Sequence, residues 1–166
     1  PRSPLFPYTT LFRSRSPVTK LVFFGHNRKD AAIVRRVHSF MNVDVDVTGF
    51  MFRRDGEPEN PGPAWRNIDL GMVEHCQHAQ RVLTLLRAIW RSATHRDILK
   101  KADIIYARNL DMLALAFVGL AFVSKDRPKI VYECLDVHAA MTKSGIAGAV
   151  IRWFERAALR RIDLLV

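Results

Sequence analysis

Apolar positions along this chain recur with two periods, and their alternation sets out the elements. Lys20-Leu-Val-Phe-Phe24 is a continuous apolar run halted by Gly25, the pattern of a fully buried first strand. Asn27 and Asp30 stand three apart, a weak variant of the capping box, and announce a helix. On it Ile33, Val34, Val37, Phe40 and Met41 recur at helical spacing, with Arg28, Lys29, Arg35 and Arg36 on the other side. Val43, Val45 and Val47 alternate with Asp44 and Asp46, which predicts a half-exposed second strand. Arg53 to Asn67 is rich in Pro, Gly and charge and reads as a mobile loop, with a short third strand over Ile68 to Val73.

Gln77 to Lys101 carries Val82, Leu83, Leu86, Ile89, Trp90 and Ala93 at helical spacing, as one helix or as two broken near Thr94. Ala102 to Ala107 is the next buried strand and ends at Arg108 and Asn109. Asp111 to Ser124 is an apolar helix whose uninterrupted run, Met112 to Val123, is too short to span a bilayer. After Pro128, Ile130, Val131 and Tyr132 form a strand that turns polar at Glu133, Asp136 and His138. Gly145 to Arg161 is an amphipathic helix with Val150, Ile151, Phe154 and Ala158 inward, and Ile162 to Val166 begins another strand. Strands alternating with helices predict an α/β fold with a Rossmann-like, doubly wound parallel sheet. In such sheets ligands sit outside the carboxyl ends of the strands, so the polar end at Glu133, Asp136 and His138 is where chemistry is expected.

Composition narrows the classes. A chain of 166 residues, 49% hydrophobic and 25% charged, is one domain of ordinary soluble type. Two cysteines, Cys76 and Cys134, make no disulfide framework, and a reducing compartment is the default. No charged leader followed by an apolar stretch and a cleavage site is present, so no secretory signal is expected. Residues 5–14, Leu-Phe-Pro-Tyr-Thr-Thr-Leu-Phe-Arg-Ser, resemble the in-frame translation of a short-read sequencing adapter. Residues 1–14 are therefore expected to be a non-native leader and 18–166 the domain. Without Arg2 and Arg13 the net charge falls from +10 to +8, so an anionic partner is still expected: nucleic acid, a phosphorylated substrate or a membrane face.

Several familiar sites are excluded. After the first strand Gly25 stands alone, without the further glycines of a dinucleotide fingerprint, and there is no Gly-x-x-x-x-Gly-Lys-Ser/Thr loop. Gly25 can serve a plain strand-to-helix turn, or let backbone amides and a helix N-terminus approach a phosphate. Glu74-His-Cys-Gln-His78 offers ligand types for zinc, but no second ligand group stands at usable spacing, and no metal is expected.

Three blocks resemble glycosyltransferase family 4: Ala102-Asp-Ile-Ile-Tyr-Ala-Arg-Asn109, Lys129-Ile-Val-Tyr-Glu-Cys-Leu-Asp-Val-His138, and Phe154-Glu-Arg-Ala-Ala-Leu-Arg-Arg-Ile-Asp-Leu-Leu-Val166. The family pattern has a strand ending in an Arg-Asn-like pair, then a strand ending in Glu-x-x-Asp or a His-acid pair. A Glu-bearing helix before an Asp-led strand follows, and the family's usual histidine stands nearer the strand end than His138. The resemblance implies the N-terminal, acceptor-side half of a GT-B fold, truncated at its C-terminus, with the donor-binding glutamates beyond Val166. It implies transfer of a sugar, with retention, from a nucleotide-sugar to a saccharide or lipid-linked acceptor in bacterial cell-surface polysaccharide synthesis. The nucleotide-sugar is a substrate, no cofactor is implied, and the fragment alone is expected to be nearly inactive.

Such a transfer builds positive charge at the anomeric carbon and negative charge on the leaving diphosphate. Under the resemblance Asp136 and His138 are the catalytic candidates, holding or deprotonating the acceptor hydroxyl or supporting the donor sugar. Glu133, Arg108 and Asn109 are the acceptor-binding candidates, and Gly25, His26 and Asn27 the donor-phosphate candidates. A capping role for Asn109 and an ion pair for Glu133 are the structural alternatives.

Two basic stripes stand apart from this site: Arg87, Arg91 and His95 beside Trp90, and Arg152, Arg156 and Arg160 beside Trp153. They are either solvated helix faces or surfaces for anionic lipid, which would place the protein in the cytoplasm and at the inner face of the membrane. Two other functions stay open: a non-catalytic nucleic-acid-binding α/β domain, for which the chain has no aromatic sheet motif or recognition helix, and a sugar-nucleotide epimerase of related architecture.

Overall fold

In chain order the elements are β1 (Lys20–Gly25), α1 (Ala31–Met41), β2 (Asp46–Arg54), β3 (Arg66–Val73), α2 (His78–Thr94), α3 (Arg96–Lys100), β4 (Ile104–Arg108), α4 (Leu110–Ala121), β5 (Lys129–Glu133), α5 (Ile146–Leu159) and β6 (Leu164–Leu165). The structure is a computed structural model that describes residues 18–54, 56, 63–73, 78–121, 123, 127–135 and 145–166. Residues 1–14, expected to be a leader, and most of the loop between β2 and β3 lie outside the described residues. The six strands form one sheet, every pair parallel, in the order β3-β2-β1-β4-β5-β6. This is a Rossmann-like α/β fold.

Alternation along the strands builds two cores, one on each face of the sheet. Leu21, Phe23, Val47, Met51 and Tyr106 pack with Ile33 and Val37 of α1 on one face. Val22, Phe24, Phe50, Phe52, Leu70, Ile105, Ala107, Ile130 and Tyr132 pack on the other with residues of α2, α3, α4 and α5. Covered on both sides, the inner strands read as continuous apolar runs. Two aspartates tie the strand entries together: Asp103 Oδ2 accepts from the Lys20 amide at 2.8 Å, and Asp163 Oδ2 from the Ile130 amide at 2.7 Å. The aspartate that leads the last strand of the resemblance, Asp163, therefore bonds to the backbone of the neighbouring strand here.

The boundaries depart from the sequence reading where tertiary position overrides pattern. The second strand starts at Asp46 rather than Val43; Val43 is exposed in a turn where Asp44 takes φ 60°. From Val47 to Phe52 the strand is buried, because it lies between β1 and β3. Arg53, Arg54, Arg66 and Asn67, expected in the loop, belong to β2 and β3. The break expected near Thr94 falls at His95, between α2 and α3. On α2, Leu86 and Trp90 face solvent and the small residues Ala88 and Ser92 face inward. On α5, Ile151, Phe154 and Ala158 turn inward as expected, but Val150 is exposed.

Candidate functional site

The chain leaves β1 toward β2 and β3 on one side, and enters β4 toward β5 and β6 on the other. The carboxyl ends of β1 and β4 are thus the switch point of the sheet, where an open α/β fold has its crevice. Arg108 pairs with Glu133 in register, and Gly25 stands one step past the paired Phe24 and Ala107. The ends of β1, β4 and β5 therefore bring three of the candidate residues to one rim.

Charge organises that rim. Arg36, on α1, donates from Nη2 to Glu133 Oε1 at 2.9 Å, and Arg108 Nε lies 3.8 Å from Glu133 Oε2. Arg108 also donates from Nη1 to Asp30 Oδ1 at 3.2 Å. Arg108 and Glu133 are each only 7% exposed, so their charges are held by one another and by the outer pair. Tyr106 lies below, on the same face. Its buried hydroxyl makes no hydrogen bond of good geometry among the described residues. Burial first, and then the charge of Glu133, push its pKa up to about 12.

Asp30 connects this cluster to the helix. It is the N-cap of α1, and its Oδ1 accepts from the Ala32 and Ile33 amides at 2.9 and 3.1 Å. The cap therefore falls at Asp30, three residues after the expected Asn27. Asn27 is buried and makes a local turn, its Oδ1 accepting from the Lys29 amide at 2.9 Å. Burial alone would raise the Asp30 pKa; the two helix amides and then Arg108 outweigh it and hold the carboxyl below its ordinary value. His26 Nε2 lies 3.8 Å from Asp30 Oδ2, on the outer side.

The geometry limits a phosphate site at this turn. The amides of Arg28, Lys29, Asp30, Ala32 and Ile33 all donate to protein acceptors. Gly25 has a packing reason of its own: a Cβ there would lie 3.0 Å from Ile33 Cδ1 and 3.3 Å from Phe23 Cε1. A phosphate at Gly25, His26 and Asn27 would have to draw on the remaining amides and compete with the carboxylate already on the helix end.

Asn109 takes φ 74°, the left-handed region in which Asn is the most frequent residue after Gly. Its amide donates to the Glu133 carbonyl at 3.0 Å and its carbonyl accepts from Leu113 to start α4. Its side-chain Oδ1 is buried with no partner among the described residues, so the capping expected of it is made by the backbone alone. Asp136 and His138 lie outside the described residues, as do Glu74 to Gln77.

Asp30, Arg36 and Tyr106 are the members of the cluster that the sequence reading did not select. A capping position marked Asp30, whereas Arg36 looked like one more cation on an outer face. What the described rim can do follows from its charges. Glu133 is engaged by two arginines, which fixes its carboxylate in position to orient bound groups. Arg36, nearly half exposed, is the cation with most access to solvent.

No family model matches the chain. Among curated proteins it is similar to the succinoglycan biosynthesis protein ExoL of Rhizobium meliloti (strain 1021), 32% identical over 147 residues. That alignment covers 89% of this chain and 36% of the relative, so the chain spans about a third of the relative's length.

Proposed function

We propose that this chain is the acceptor-side half of a retaining, GT-B-type glycosyltransferase in cell-surface polysaccharide synthesis. The observation that carries the proposal is the similarity, along 89% of the chain, to a protein named for succinoglycan biosynthesis. The polar rim at the switch point supports it, since Arg36, Arg108 and Glu133 can order sugar hydroxyls or an acceptor phosphate by charge-assisted hydrogen bonds.

In this reading Asp136 and His138, a few residues past the end of β5, reach the acceptor hydroxyl or the donor sugar. The nucleotide-sugar is held mostly by a second α/β domain, and any phosphate contact from this half comes from the turn at Gly25, His26 and Asn27. The acceptor is a saccharide or a lipid-linked saccharide met at the inner face of the membrane.

The test uses the whole protein that contains this stretch, incubated with UDP- and GDP-linked hexoses and a membrane extract from a polysaccharide-producing bacterium. Nucleotide release that requires both donor and extract, with the anomeric configuration kept in the product, is expected. Donor turnover without any acceptor would assign an epimerase instead. Salt-sensitive retention on DNA or RNA, indifferent to nucleotide-sugars, would assign a nucleic-acid-binding domain.

A further inference from the structure

The exposure of Val150, against the inward position its sequence spacing suggested, alters the character of α5. Ile146, Val150 and Trp153 are 86%, 56% and 69% exposed, and their spacing of four and three places them in one line along the helix. The line lies beside the buried face formed by Ile151, Phe154 and Ala158. On its other side the helical period places Arg152, Arg156 and Arg160 in a parallel row. Glu155 is the helix's single acid. Next to Trp153 an apolar groove of about 650 Å³ opens between α4 and α5, walled by Phe117, Leu120 and Phe154, with Arg127 and Arg161 among its lining residues.

We infer that the Ile146–Val150–Trp153 face of α5 is the surface by which this protein rests on an anionic lipid bilayer. Apolar side chains in line beside arginines, with an indole among them, match the boundary between acyl chains and anionic headgroups. Charge separates this occupant from a second copy. An antiparallel two-fold contact through the same face would bring the arginine row against itself, whereas an anionic headgroup layer neutralises it. The other basic stripe also exposes Leu86 and Trp90 beside Arg87, but its Arg91 lies next to the acid Asp69 on β3. Arg91 reaches the Asp69 backbone and carboxylate, and His95 Nδ1 lies 2.9 Å from the Arg91 carbonyl. Among the described residues no helix is long and apolar enough to cross a membrane.

The inference deepens the membrane placement in the proposed function but rests on α5 alone, and the two are read out separately. The whole protein that contains this stretch is sedimented with phosphatidylcholine vesicles, with and without about a third phosphatidylglycerol. Co-sedimentation only with the anionic vesicles, reduced by added salt, is expected. Arg156→Ala should weaken it about fivefold, and the double variant Ile146→Ser with Trp153→Ser should abolish it while circular dichroism stays unchanged. A wild-type chain that fails to sediment, or variants that bind as it does, would overturn the inference. A wild-type dimer that the double variant converts to monomer would also overturn it, assigning the face to self-association. Nucleotide-sugar turnover by the whole protein in detergent solution tests the transferase reading whatever the vesicles show.

Discussion

Arg36 Nη2 and Glu133 Oε1 meet at 2.9 Å although 97 residues separate them, so the middle of α1 is fastened to the end of β5. The bond crosses over the ends of β1 and β4 on the face that α1 covers. With Arg108 and Asp30 it makes a chain of four alternating charges across the switch point.

The links in that chain should differ in weight. Arg36 is nearly half exposed, so Arg36→Ala is expected to cost about 1 kcal/mol. Arg108 is buried, and Arg108→Ala leaves both Glu133 and Asp30 without it, at about 3 kcal/mol. Urea midpoints measure both. Equal costs would mean that the buried arginine is not the centre of the network.

Acid should reveal Asp30. Its folded pKa is lowered: burial alone would raise it, but the Ile33 and Ala32 amides and the Arg108 charge more than compensate. The carboxylate therefore contributes stability above its unfolded value of 3.8, and that contribution is lost as pH falls through the folded pKa. Asp30→Asn keeps the cap oxygen and removes the charge. It should cost about 1 kcal/mol near neutrality, and the gap from wild type should close as urea titrations move below pH 3.8. A gap independent of pH would show that the charge of Asp30 contributes nothing.

Close approach of α1 to β1 makes Gly25 a packing residue. Gly25→Ala puts a methyl 3.0 Å from Ile33 Cδ1, and overpacking of this kind costs about 1–3 kcal/mol. Adding Ile33→Val removes the carbon that is met and should restore part of the loss, which a double-mutant cycle in urea would read. Strictly additive losses would place the strain elsewhere.

Much of this fold was legible because the inner strands of a parallel sheet are apolar on both faces and stand out as uninterrupted runs. Phe23 and Phe24 are as recognisable in the sequence as in the core. The inward side of α2 was not legible. Its helix packs against α4, where a Cβ on Gly119 would lie 3.7 Å from Ser92 Cβ and 2.8 Å from Leu99 Cδ1. Small residues, Ala88 and Ser92, fill that contact, and a search for large apolar side chains selects Leu86 and Trp90 instead. The same holds at the rim. Arg108 and Glu133 could be picked out as polar ends of apolar strands, while Arg36 gains meaning only from a partner on a distant strand. Asn109 was visible as a residue but not as a left-handed turn whose side chain is left over from capping.

The proposed chemistry depends most on Asp136. β5 ends at Glu133, whose carbonyl receives the Asn109 amide and whose carboxylate is held by Arg36 and Arg108. The chain thus leaves the sheet from a fixed point, and Asp136 stands three residues on, within about 10 Å of that point at full extension. If Asp136 orders the acceptor or the donor sugar there, Asp136→Ala in the whole protein should lower turnover by about 100-fold or more. If its role is confined to that chemistry, its urea midpoint should move little, by about 0.5 kcal/mol or less. Arg36→Ala should act differently, lowering turnover moderately together with stability, because it loosens the anchor rather than removing the group. If Asp136→Ala lost stability and turnover in equal measure, Asp136 would be part of the scaffold and the transfer chemistry would have to be sought elsewhere on the rim.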